Sequence, residues 1–158
     1  MLSVDDIASG IKIIECEPNS YDNMDWLFAN CMLLQSLKMI NFDTSNTYSM
    51  IGMLQCCKKM KYLDISSFDF SNTINIACMF KLCKSLTNLK FGKGLKKSID
   101  LTACPLTHTS ALSVINGLSK VKEKQTITFS KITYDILTKD DKEIAENKKW
   151  FINRTYGD

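Results

Sequence analysis

The chain is poor in the residues that most often carry chemistry. It has a single histidine, His108, which lies far in sequence from most of the 7 cysteines. Zinc needs four well-placed ligands, and no Cys-x-x-Cys pair occurs, so no metal and no cofactor is expected. Gly92-Lys93-Gly94 is a short loop, without the spaced Gly-Lys-Ser/Thr that a phosphate-binding loop requires. No Gly-x-Ser-x-Gly elbow is present, which argues against one common hydrolase class. No apolar run approaches the ~20 residues of a membrane span. The formal net charge is only +3 and no basic stripe accompanies it, so nucleic acid is not an expected partner. The first residues, Met1-Leu2-Ser3-Val4-Asp5-Asp6, are acidic where a secretory leader is basic. Synthesis in the cytoplasm without a signal peptide is therefore expected.

What the chain does have is a repeat. Phe42-Asp43-Thr44-Ser45-Asn46-Thr47 recurs 26 residues on as Phe68-Asp69-Phe70-Ser71-Asn72-Thr73. At the same spacing Leu37, Leu63 and Leu89 share one column, Cys31, Cys57 and Cys83 another, and Leu27, Met53 and Met79 a third. One step back, Ile11 and Ile13 fall under Leu37 and Met39. A fixed period in the twenties with a leucine-spaced strand per unit predicts a leucine-rich repeat solenoid, and a hydrophobic fraction of 45% is ample for its core. The expected fold class is α/β, with parallel strands on one wall and short helices on the other. The strands are read at Leu37 to Phe42, Leu63 to Phe68 and Leu89 to Gly94. The helices are read at residues 24–34, 50–60 and 76–86, where Met24, Leu27, Phe28, Cys31 and Leu34 make an i, i+3, i+4, i+7, i+10 stripe. The cysteine column reads as reduced core thiols.

The period is clear from 24 to 94, and the repeat unit is assigned to residues 1–104. Residues 105–158 are assigned to an α/β cap covering the last core face. Ile99-Asp100-Leu101 is expected to add a strand to the repeat sheet, and Thr109 or Ser110 to cap a helix carrying Leu112, Ile115 and Leu118. Thr126 to Phe129 reads as a strand, and Thr138 with Asp141 as a capping box opening a second helix. Trp150-Phe151-Ile152 reads as a last strand.

The run Phe-Asp-x-Ser-Asn-Thr, an apolar pair, Cys and Leu-x-x-Leu is similar to the BspA-like leucine-rich repeat of bacterial surface proteins. Cys104-Pro105-Leu106-Thr107-His108, the stretch 110–118 and Ile144 to Trp150 resemble the C-terminal segment that ends such repeats in proteins of Gram-positive bacteria and their phages. The resemblance implies a non-enzymatic structural or interaction protein, a baseplate- or fibre-associated component of a phage tail or phage-tail-like particle. An adhesin-like surface module is the alternative. Its expected place is the virion or particle, and its expected partners are other subunits, a host-surface protein or a glycan. In the family His108 belongs to the turn before the cap helix, so its nearness to Cys104 is not expected to make a nucleophile and base, and no catalytic residue is assigned.

The candidate binding residues are the strand positions between the inward ones. One column holds Lys12, Lys38, Asp64 and Lys90, and the other Ile14, Ile40, Ser66 and Gly92. Facing outward, they would form a mixed basic and apolar strip for a protein or polymer partner.

Overall fold

A computed structural model describes residues 11–15 and 21–155 of the chain. Strands β1 (Ile11–Glu15), β2 (Ser36–Ile40), β3 (Tyr62–Asp64) and β4 (Asn88–Lys90) form one parallel sheet in that order. Strands β5 (Ile99–Leu101), β6 (Gln125–Phe129) and β7 (Trp150–Arg154) form a second, separate parallel sheet. Helices α1 (His108–Gly117), α2 (Lys131–Asp135) and α3 (Lys139–Asn147) all follow β5.

This corrects the fold expected from the repeat. The leucine-rich repeat solenoid, with one strand wall and one helical wall, is replaced by two separate parallel sheets, and no described residue between 21 and 98 is helical. The segments read as helices are runs of tight turns. Leu27 N–H donates to Met24 O, Cys31 N–H to Phe28 O, Met53 N–H to Met50 O and Cys57 N–H to Leu54 O, each three residues back. The third residue of each turn has left-handed backbone, with φ near +60° at Trp26, Asn30, Gly52, Cys56, Cys78 and Leu82. That is the position where a type II turn demands it.

Turns repeating every four residues also bring i, i+4 and i+3, i+7 to one side, so the apolar stripe fits them as well as a helix. The backbone decides between the two. Met24, Trp26, Phe28 and Asn30 donate not along the chain but across it, to the carbonyls of Ser49, Ile51, Met53 and Gln55. Met50, Gly52, Leu54 and Cys56 donate in turn to Asn75, Ala77, Met79 and Lys81. Left-handed backbone costs a non-glycine residue roughly 1–2 kcal/mol; the cross-segment bonds and the burial of Met53, Leu54, Met79 and Phe80 offset that cost.

The leucine column is kept as strand register, with Leu37 beside Leu63 and Leu63 beside Leu89. Phe42, Phe68, Phe70 and Phe91 continue it as a row of rings, successive centroids 4.7 to 6.2 Å apart. At the corners Asp43 and Asp69 carboxylates accept from the N–H of Ser45 and Ser71, and Thr73 Oγ1 donates to Thr47 O. The register of β1 is displaced by one residue from the expected alignment. Lys12, not Ile11, lies beside Leu37, and Ile13 beside Lys38.

The outer edge of β4 is closed by α1. The N–H groups of Leu89 and Phe91 donate to the hydroxyls of Ser110 and Ser113, at 2.9 and 2.8 Å. The N-cap of α1 is Thr107, earlier than either expected residue, and its Oγ1 accepts from Ser110 N–H. The capping box of Thr138 and Asp141 is formed, whereas α2 had no counterpart in the sequence reading. β5 does not join the repeat sheet. It pairs with β6, so the second sheet draws on both sides of residue 104. The Cys104 thiol reaches back to Phe80 O as Cys83 reaches to Leu54 O and Cys57 to Phe28 O. β5 thus follows the third turn segment along the same wall.

Candidate functional site

The outward positions of β2, β3 and β4 meet at one polar cluster. Lys38, Asp64 and Lys90 are register neighbours. Lys38 and Lys90 are exposed, but Asp64 is buried, at 4% exposure. Its Oδ1 accepts from both the N–H and the hydroxyl of Ser66, at 3.1 and 2.6 Å. Its Oδ2 accepts from the Tyr62 hydroxyl at 3.2 Å and faces Lys90 Nζ at 3.5 Å. Burial opposes the charge of Asp64, but the bonds from Ser66 and Tyr62 and the Lys90 ammonium outweigh it and hold the carboxyl below its ordinary value. Tyr62 first, and Asp64 after it, push the Lys90 ammonium up. Asp64 is therefore an anchor that fixes Tyr62, Ser66 and Lys90 relative to one another, not itself an outward ligand.

Beside this cluster lies an open hollow of about 480 Å³ between β3–β4 and α1. Tyr62, Asn88, Lys90, Thr107, Thr109 and Ser113 line it, with Leu89 and Ser110 at its floor. Ser110 and Ser113 are engaged in closing the β4 edge, Thr107 Oγ1 caps α1 and bonds Ser110 Oγ, and Asn88 Nδ2 donates to Thr87 Oγ1, so the Asn88 amide oxygen, the Lys90 ammonium, the Tyr62 phenol and the Thr109 hydroxyl are the polar groups that line the opening. Such a set offers donors, acceptors and one ring face, the means of orienting a polar ligand group.

Of the sequence candidates, the structure brings together Lys38, Asp64, Ser66 and Lys90. Lys12 and Ile14 are not in their expected columns, because β1 pairs one residue out of step: Ile14 lies beside Met39, not Ile40. The side chains of Lys12, Ile14 and Ile40 lie outside the described residues. Gly92 is buried, and a Cβ there would come within 2.1 Å of Phe68 O. It serves close backbone packing rather than a binding face. Sequence reasoning missed Tyr62, Asn88, Thr107, Thr109 and Ser113. Tyr62 and Asn88 form a register column with Ser36 and carried a signal in their 26-residue spacing. The α1 residues carried none, since nothing in the sequence places that helix beside β4.

The buried thiols and the histidine are engaged in structural contacts. Burial pushes the thiol of Cys57 up and that of Cys83 to about 12, and both donate to backbone carbonyls. His108 Nε2 lies 2.8 Å from Asp141 Oδ2, where the start of α1 meets the capping box of α3. Among the described residues no group of three or more His, Cys, Asp or Glu is placed to hold a metal ion. No helix among them is long and apolar enough to cross a membrane.

No curated protein and no solved structure matches the chain. A family model does match residues 7–99, the span of the four-stranded sheet, the turn segments and the strand cluster. More than half of the chain is covered, and the chain thus belongs to the family described as "Mycoplasma protein of unknown function, DUF285".

Proposed function

We propose that the protein is a non-enzymatic interaction module that binds a protein or glycan partner on the polar face of β2–β4 and the hollow beside α1. The observation that carries this reading is the buried Asp64, which holds Tyr62 and Lys90 in fixed positions on the lining of that hollow and Ser66 beside them on the strand face. A surface salt bridge alone contributes little to stability, so an arrangement that orients exposed groups this closely has its use in recognition. Preorganised donors lose less conformational entropy when a partner binds. The engagement of Cys57, Cys83 and His108 in structural contacts supports a binding role over catalysis.

The setting implied by the resemblance, a component of a phage tail or phage-tail-like particle, belongs to the same proposal. Two experiments test it. The tagged protein is recovered from its native host after lysis, and its sedimenting partners are identified by mass spectrometry. Tube, sheath or baseplate proteins support the particle setting; recovery free or with wall material sinks it in favour of an adhesin-like module. With the recovered partner, Lys38→Glu and Lys90→Gln together should weaken binding roughly tenfold or more, about 1.4 kcal/mol, with the melting temperature nearly unchanged. Undiminished binding would remove the strand face from the proposal.

A further inference from the structure

We infer that the protein binds a single-stranded nucleic acid along a lysine-lined surface at one end of the second sheet. This surface lies apart from the strand face above, and the inference does not depend on that reading.

The surface is built by topology. β5, β6 and β7 run parallel, so the segments that enter them lie at the same end of the sheet. Lys96 and Lys97 stand just ahead of β5, Lys120, Lys122 and Lys124 ahead of β6, and Lys149 immediately ahead of β7. All six are exposed. They line two open hollows, of about 410 and 520 Å³, that share Lys122. The sequence holds no basic stripe; the sheet assembles one from three separated stretches. Among the described residues Glu123 and Glu146 are the only acids lining either hollow. Six lysines against two glutamates leave +4 on this surface, where the whole chain carries +3.

This charge is not neutralised locally. Elsewhere cations face carboxylates: Lys90 faces Asp64, Lys93 faces Asp69 and Arg154 faces Asp135. Among the described residues none of the six lysines makes such a pair. Lys96 Nζ donates to Ser71 O and Lys149 Nζ to Lys122 O, at 3.0 and 3.3 Å. Those bonds to backbone carbonyls position two ammoniums and leave their charge uncompensated.

Three features select the occupant. The cations are all lysines, and an ammonium meets phosphate as a point charge, whereas the arginine fork suits the carboxylates of an acidic peptide. The lysines surround concavities, which a flexible strand enters and a flat bilayer does not. Phe151, 47% exposed, lies in the larger hollow, and Lys124 Nζ stands over its ring, 4.8 Å from the centre. Trp150 beside it is buried, with Nε1 donating to Ser119 O, so Phe151 is the ring that the hollow presents. Bases stack on such a ring while their phosphates meet the ammoniums; a base stacking there takes the face opposite Lys124 or displaces that long side chain. A phosphate polymer without bases makes no use of the ring.

The test is fluorescence polarisation of a short labelled oligothymidylate titrated with the full chain at low and high salt. Binding should be micromolar at low salt, with log K falling against log salt at a slope of roughly −2 to −3 for about three or four phosphates neutralised. Lys120→Gln, Lys122→Gln and Lys124→Gln together should weaken binding at least tenfold and flatten that slope. Phe151→Ala should weaken it roughly fivefold or more at unchanged slope. Lys58→Gln with Lys59→Gln, an exposed pair outside the surface, should change neither. Circular dichroism follows the fold of each variant, and Lys97→Gln with Lys122→Gln replaces the triple variant if that one does not fold. The inference is overturned by absence of binding at low salt, by a folded lysine variant that binds like wild type, by an equal loss in the Lys58 and Lys59 variant, or by Phe151→Ala without effect. Tighter binding of polyglutamate or of anionic phospholipid vesicles than of the oligothymidylate also overturns it, and assigns the surface to an acidic protein or to a membrane.

Discussion

The two edges of the four-stranded sheet are finished differently. At β4 two serine hydroxyls of α1 take the hydrogen bonds that a further strand would have taken, from Leu89 and Phe91 N–H. At β1 no described residue does this. The same contrast runs through the turn wall. Its second and third segments bury Met53 and Met79, while its first leaves the equivalent Leu27 half in solvent. Identical sequence columns therefore have different energetics according to whether a neighbour stacks on them, because burial is a property of the stack and not of the column.

The largest effect expected from this contrast is in core truncation. Met53→Ala should cost about 2–5 kcal/mol, as a fully buried side chain does. Leu27→Ala at the equivalent exposed position should cost well under about 1 kcal/mol, the range of surface changes. Urea denaturation of the two variants measures the difference, and equal losses would mean that the first segment is covered in solution. A middle-sized effect is expected at the closed edge. Ser110→Ala leaves Leu89 N–H buried without its acceptor and should cost roughly 1–3 kcal/mol, read as a lower urea midpoint with unchanged slope. A neutral outcome would show that the hydroxyl is not what closes β4. The smallest effect compares two turns. The second segment has Gly52 where the third has Cys78, both with φ near +60°. Cys78 is exposed, so Cys78→Gly should stabilise by about 0.5–1 kcal/mol, the relief of left-handed strain less the backbone entropy of glycine. A loss of stability would show that the Cys78 side chain contributes more than its strain costs. The exchange of Gly52 in the opposite sense would strain its left-handed backbone and displace the Trp26 ring, which occupies the space of its Cβ.

Much of the backbone plan was legible because it rests on spacing. The strands at Leu37, Leu63 and Leu89, the Asp and Thr corners, the capping box at Thr138 and the strand at Trp150 all follow from local patterns. The helical reading of the turn segments failed for a physical reason: an apolar stripe at i, i+3, i+4 and i+7 is common to an α-helix and to successive four-residue turns. Only the destination of the N–H groups separates them, and those of Trp26 and Phe28 leave their own segment altogether. The candidate site was legible by half. Lys38, Asp64, Ser66 and Lys90 stood out by their period, but periodicity cannot tell an outward charge from a buried anchor, and Asp64 is the anchor. Lys12 and Ile14 fall one residue out of the expected register, beside Leu37 and Met39, because a short strand at a sheet edge takes its register from tertiary pairing rather than from spacing.

By itself the sequence determined which residues are equivalent: a 26-residue period places leucines, cysteines and phenylalanines in columns, and columns of apolar side chains must face a common core. Tertiary structure alone decided what joins those columns. Backbone donors that an isolated segment would spend on a helix are spent on the neighbouring segment instead, and the chain after Gly94 turns to a second sheet while α1 closes the first. Hydrogen bonds between segments and the burial of one segment by the next exist only once the segments are stacked, so no single stretch of sequence encodes them.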